Sequence, residues 1–200
     1  VRKSDRFWSL LDQYIETPDS ELPPVRQAIQ EEFACEKAAL VMDMSGFSRI
    51  TQRQGILFYL SLIRRMQLVT RPLVERHGGT VVKYEADNLF AVFDRVDDAI
   101  DMALASQDGF DGMNIMTRDD RDIHISVGIA WGEILLIPQH DFFGDAVNLA
   151  SKLGEDIAQR GEVLIADSAL ERLEEPERYP YERIGFDISG VHIEAGKISR

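Results

Sequence analysis

Apolar and polar positions change their period several times along the chain, and each change marks a predicted element. Phe7, Trp8, Leu10, Leu11, Tyr14 and Ile15 fall on one helical face, with Ser4 as a candidate cap. Pro18, Pro23 and Pro24 then interrupt, and a second short helix is predicted over 25–33. Residues 38–44 form a short apolar run that contains Asp43, the pattern of a buried strand. A long amphipathic helix follows over 55–76, with Leu57, Leu60, Ile63, Leu68, Leu73 and Val74 facing inward, and His77-Gly78-Gly79 breaks it. Strands are predicted at 80–84 and 88–93, joined by a tight turn at Glu85-Ala86-Asp87, and a helix at 96–107. A second hairpin is expected from 123–131 and 133–137 with Gly132 at its turn. A helix over 145–159, a strand at 162–165, a short helix at 168–173 and strands at 181–186 and 192–198 complete the pattern.

The order strand, helix, strand, strand, helix, strand is that of a ferredoxin-like βαββαβ core in an α+β fold, here with extra strands. It places residues 37–200 in one domain and leaves 1–36 as a helical N-terminal extension. That extension reads equally as a helical pair packed on the domain and as a dimerisation or signal-coupling segment. No internal repeat or low-complexity tract is present.

Composition narrows the function classes. The chain has 200 residues, enough for one domain with a full core. Its net charge of −13 argues against a nucleic-acid-binding surface, because phosphate repulsion would have to be overcome locally. It does not argue against one nucleotide held through metal ions, since acidic residues are what hold such ions. Cys35 is the only cysteine, which suits a reducing cytoplasm. No apolar run approaches the ~18–20 residues that span a bilayer, so no membrane contact is expected from this segment. Residues 1–11 carry no signal-peptide core. His77, His124, His140 and His192 lack zinc-site spacing.

Two carboxylates stand out. Asp43 ends the first predicted strand and Asp87 lies in the turn between the next two. In a ferredoxin-like sheet the first and middle strands of this unit are neighbours, so both acids can converge at one sheet edge. Carboxylates a few ångströms apart repel unless a cation lies between them. Two-metal sites suit phosphoryl transfer. The plain alternative is a pair of solvated turn aspartates. After Asp43, the stretch Met44-Ser45-Gly46-Phe47-Ser48 opens a helix with free backbone N–H groups, an arrangement that attracts phosphate.

Three segments together resemble the class III adenylate and guanylate cyclases. They are Leu40-Val41-Met42-Asp43-Met44-Ser45-Gly46-Phe47-Ser48, then Val82-Lys83-Tyr84-Glu85-Ala86-Asp87, then Asp141-Phe142-Phe143-Gly144-Asp145-Ala146-Val147-Asn148-Leu149-Ala150-Ser151-Lys152. They stand in family order, and the resemblance covers about 37–198. It implies that Asp43, Asp87 and the Met44 carbonyl hold two magnesium or manganese ions. It implies that Gly46, Phe47 and Ser48 meet the phosphates. Lys83 and Asp141 match the pair that reads adenine: a lysine can donate to ring N1, and a carboxylate can accept from the exocyclic amine. Asn148 matches the residue that orients the ribose, and Lys152 falls where the family usually has an arginine serving the α-phosphate. The implied activity is conversion of ATP to 3′,5′-cyclic AMP and pyrophosphate. The family builds its site across a two-fold axis, and all of these residues occur in one chain, so a homodimer with two composite sites follows.

Departures from the pattern keep other readings open. Lysine at 152 keeps the charge but loses the planar fork. Ser126 stands where many relatives carry an arginine facing the terminal phosphates, and Ser189 stands near a lysine used for the same purpose. Alternatives are therefore a weak or inactive cyclase-like regulatory module, or a cyclase acting on GTP or a pyrimidine triphosphate. Lys83 with Asp141 argues against GTP. The Gly-Gly-acid-acid-Phe turn of diguanylate cyclases is absent.

Overall fold

The first strand decides the layout. The computed structural model describes residues 2–45, 55–188 and 191–199. Strand β1 (Ala34–Met44) is apolar over most of its length and lies between two antiparallel neighbours, β3 (Asn88–Phe93) and β4 (Ile125–Ile137). β2 (Thr80–Glu85) pairs with β3 on the far side. The sequence β1, α3 (Ile56–Arg76), β2, β3, α4 (Val96–Asn114), β4 is thus a βαββαβ unit with strand order β2-β3-β1-β4. Beyond it β6 (Val163–Ala166) runs parallel to β4, and β8 (Val191–Ile198) and β7 (Tyr181–Ile188) close the sheet. A three-residue strand, β5 (Asp141–Phe143), pairs back on the end of β4.

Strand alternation divides the core into two layers. Ala38, Leu40, Met42 and Met44 of β1, with Leu89, Phe93, Val127 and Ile129, pack beneath α3 and α4. Ala39 and Val41, with Phe90, Val92, Ala130 and Ile134, pack beneath α5 (Asp145–Ser151) and the π-helical turn Lys152–Ile157 that extends it. Two glycines allow that second approach to be very close. A Cβ on Gly128 would lie 2.1 Å from the Ala150 carbonyl oxygen, and one on Gly154 would lie 2.6 Å from the Val41 carbonyl oxygen.

Helices α1 (Lys3–Glu16) and α2 (Leu22–Phe33) form the expected N-terminal pair. Phe7, Leu10, Val25, Ile29 and Phe33 bury themselves against one another and against Ile137 of β4. Trp8 and Ile15, expected on the same inward face, are exposed. Ser4 is inside the helix and caps nothing; the cap position is Arg2.

Two further expectations are corrected. Gly132 is not a hairpin turn: β4 runs unbroken through it, with Gly132 paired to Lys37. The reason is that β1 starts at Ala34, four residues before the predicted strand, and so supplies a partner for the whole of β4 up to Leu135. Glycine suits that position because α5 crosses closely, and a Cβ would lie 3.2 Å from that of Ala146. The turn falls at 138–140 instead, where Gln139 takes φ 59°. On α3 the inward stripe is Leu62, Met66, Thr70 and Val74 at intervals of four, while Leu57, Leu60 and Leu68 are 80%, 50% and 59% exposed. Following the leucines missed this stripe because it includes a threonine, whose hydroxyl bonds the Met66 carbonyl (2.8 Å) and the Tyr84 hydroxyl (2.9 Å).

Candidate active site

Asp43 follows Ala39 and Val41 on the α5 side of the sheet and stands directly opposite Ser126 of β4. Asp87 lies in the two-residue turn between β2 and β3, where Ala86 takes φ 49°, a left-handed conformation that glycine adopts at lower cost. The β1–β3 ladder, which reaches Met42 opposite Leu89, brings this turn alongside the end of β1. The two acids therefore converge, and they feel one another. The Asp43 carboxyl is pushed up to about 6, chiefly by burial, then by the negative charge of Asp87 and of Glu155, against a hydrogen bond from the Met44 amide. Burial raises Asp87 as well. Beside Asp87, Asn88 has its side-chain carbonyl buried with no hydrogen-bond partner among the described residues. Its strand alternation gives it the face of Phe90 and Val92, the same face as Asp43.

These features fit divalent cations. Crowded carboxylates and an orphaned carbonyl are hard oxygen donors of the kind that magnesium and manganese prefer. Among the described residues no group of three His, Cys, Asp or Glu side chains is arranged to hold a metal ion. A cation bound here would meet at most the two carboxylates together with uncharged oxygens, leaving other positions to substrate and water.

Lys83 and Asp141 are 58 positions apart in sequence but meet, Nζ to Oδ1 at 3.1 Å. The contact exists because β5 folds back from β4 toward the hairpin, where Phe142 packs edge-on against Phe90 of β3 with ring centroids 6.1 Å apart. Lys83 also pairs with Glu85 at 2.8 Å and lies over the Phe90 ring. Burial works against its charge, but the hydrogen bonds to Glu85 and Asp141 outweigh it, so the ammonium pKa is raised. Asp141 additionally accepts the Phe142 amide at 2.9 Å, which fixes its carboxylate. Lys83 lies on the wall of a cleft of about 550 Å³ bounded by Arg71, Glu75, Tyr84 and Gln139.

Asn148 is exposed on α5 and Lys152 follows one turn later on the same side. Gly46, Phe47, Ser48 and Ser189 lie outside the described residues. The structure adds groups that the sequence reading did not single out. Glu155, on the π-helical turn, has its carboxyl raised by burial and by Asp156, Glu85 and Asp87. Arg160 leaves the same turn and hydrogen-bonds the ring of His124, immediately before β4. The signal for both was the Gly128–Gly154 pair, whose lost side chains let this turn lie on the strands that end at Asp43.

Known proteins resemble this chain in sequence and in fold. The model of the adenylate and guanylate cyclase catalytic domain matches residues 35–195. A Rhizobium meliloti protein named "Putative adenylate cyclase 3" is 34% identical over 130 residues, 65% of this chain and 22% of that protein. The adenylate cyclase of Streptomyces coelicolor is 30% identical over 131 residues, 66% of this chain and 32% of that protein. The matched region thus spans less than a third of either curated relative. The crystal structure of an adenylate/guanylate cyclase/hydrolase from Silicibacter pomeroyi superimposes with a TM-score of 0.68 at 28% identity, covering 84% of this chain and 98% of that one. This chain belongs to the family of adenylate and guanylate cyclase catalytic domains.

Proposed function

We propose that the protein is an adenylate cyclase that converts ATP to 3′,5′-cyclic AMP and pyrophosphate at a site shared between two identical subunits. The observation that carries the choice of base is the Lys83–Asp141 contact at 3.1 Å. It sets a donor beside an acceptor, complementary to adenine N1 and its exocyclic amine. Guanine in the same placement offers a donor at N1 and an acceptor at O6, so both groups would oppose it there.

Asp43, Asp87 and the Met44 carbonyl would hold two divalent cations, magnesium or manganese. Such ions, when bound, favour the ionised 3′-hydroxyl and offset the charge of the triphosphate. Asn148 orients the ribose. Lys152 offers positive charge at the α-phosphate as the 3′-oxygen bonds to phosphorus and pyrophosphate departs with the electrons of the broken P–O bond. The two-fold arrangement rests on the family resemblance, and the exposure of Asn148 is compatible with its use on a partner's substrate.

Purified protein incubated with each ribonucleoside triphosphate and magnesium or manganese should yield only cyclic AMP, identified by mass. Asp43→Ala and Asp87→Ala should each abolish it. Mixing Asp43→Ala with Asn148→Ala subunits under exchange conditions should restore activity, because one composite site per heterodimer is intact. A cyclic product from another base would overturn the reading of Lys83 and Asp141. No product from a folded dimer would favour a regulatory module, a reading supported by the small buried hydroxyl of Ser126 opposite Asp43.

A further inference from the structure

The proposed site is heavily acidic for a place that must take a triphosphate. Asp43, Asp87, Glu85 and Glu155 act on one another electrostatically. Lys83 is already engaged by Glu85 and Asp141. A polyanion needs further positive charge at the end of β1, and the register of β4 shows which group is there.

Asp43 is opposite Ser126, and Met44 is opposite Ile125. The ladder continues one step further, because the Ser45 amide donates to the His124 carbonyl at 2.8 Å. Strand alternation therefore puts the side chains of Asp43, Ser45, Ser126 and His124 on one face, the α5 side. The 3.4 Å contact between the Ser45 and Ser126 hydroxyls agrees with this. The chain leaving the π-helical turn comes to the same corner, where the Gly161 amide donates to the Ile125 carbonyl at 2.8 Å. Arg160 immediately precedes it and donates from its guanidinium to His124 Nε2. A guanidinium can only donate, so His124 Nε2 is the acceptor, in keeping with an imidazole pKa lowered by burial and by the Arg160 charge against the opposing charges of Asp122 and Asp111. The neighbouring acid Glu162 is taken up by Lys197 at 2.7 Å and by the Gln159 amide. Among the described residues no ion pair engages Arg160, whose guanidinium is exposed. His124 lies two positions along the strand from Ser126, about 7 Å, which is within the length of a triphosphate anchored near Asp43.

We propose that Arg160, held in place by His124, binds the terminal phosphates of the substrate triphosphate on the subunit that supplies Asp43. This deepens the cyclase reading and rests on it for the identity of the substrate. A planar guanidinium with one edge on His124 still presents N–H donors to phosphate oxygens.

The test compares the whole protein with Arg160→Gln and Arg160→Lys, both at an exposed position where folding is undisturbed. For Arg160→Gln, the ATP KM and the inhibition constant of pyrophosphate should rise about ten- to a hundredfold. Inhibition by adenosine, which has no phosphate, should stay within about twofold. Arg160→Lys should recover part of the loss. Titration calorimetry with inorganic tripolyphosphate and manganese gives a readout that needs no turnover. Weaker tripolyphosphate binding in Arg160→Gln supports the proposal even if the wild type makes no cyclic nucleotide, in which case the cyclase reading alone falls. Unchanged pyrophosphate inhibition and unchanged tripolyphosphate binding would overturn it and leave Arg160 as a tether for its loop. Absence of any tripolyphosphate binding by the wild type would also overturn it.

Discussion

Replacing Asp43 by Asn should stabilise the metal-free protein above pH 6 while destroying the site. The folded-state pKa of Asp43 is about 6, against an ordinary value of 3.8. Folding therefore favours the protonated form, and the native state binds more protons than the unfolded chain between these values. Stability from this group is full below about pH 4, falls as pH rises toward 6, and stays low above it. A displacement of about two pKa units corresponds to about 3 kcal/mol. Asp43 is partly open to solvent, so about 1–2 kcal/mol is the expected penalty after screening. Denaturant unfolding at fixed protein concentration, in a chelator, should show wild type and Asp43→Asn converging near pH 4 and the variant ahead by that amount at pH 7.5. Millimolar manganese should reverse the order, since the cation stabilises only the wild type. If the variant were less stable than wild type at pH 7.5 without metal, the carboxylate would be satisfied by the protein itself, and the argument for a cation between Asp43 and Asp87 would fail.

Gly154→Ala places a Cβ 2.6 Å from the Val41 carbonyl oxygen and 2.8 Å from the Gly128 amide nitrogen, where backbone cannot yield. The unfolding midpoint should fall by the equivalent of about 1–3 kcal/mol, with activity lost as the π-helical turn lifts from β1. Phe7 is 3% exposed and its ring stacks on Phe143 of β5 at 5.9 Å. Phe7→Ala should cost about 3–5 kcal/mol in the packing of the helical pair and open α1 to limited proteolysis. Asp97 is 2% exposed and accepts the amides of Glu174 and Glu175, both at 3.0 Å. Asp97→Ala should destabilise by about 1–3 kcal/mol, read as faster exchange of those two amides.

The βαββαβ order was legible because its signals are local: an apolar run ending at Asp43, a tight turn at Asp87 and a break at Gly78-Gly79 each report on their own few residues. What failed depended on partners distant in sequence. Gly132 reads as a turn in isolation and is a mid-strand residue only because Lys37 lies opposite and Ala146 crosses above. Leu57, Leu60 and Leu68 have the apolar character of a core stripe, yet the stripe that meets the sheet is defined by Thr70 and its bond to Tyr84. Candidate site residues were legible as residue types in a family pattern. Their meeting was not, since Lys83 reaches Asp141 only through the return of β5 and the seating of Phe142 on Phe90.

Glu155 and Arg160 show why a pattern of conspicuous residues is an incomplete guide to a charged site. Neither is distinctive in sequence, where each is one exposed charge among many. Both owe their position to side chains that are absent, at Gly128 and Gly154, which let the π-helical turn settle against β1 and β4. That descent brings a carboxylate toward Asp43 and Asp87, adding to the repulsion a cation must relieve. It also delivers a guanidinium to His124, just before β4 and beside the end of β1. One backbone contact thus sets negative charge where metal would bind and positive charge where phosphate would follow. A substitution that lifts the turn should therefore weaken metal and triphosphate binding together, whereas Arg160→Gln should weaken the triphosphate alone.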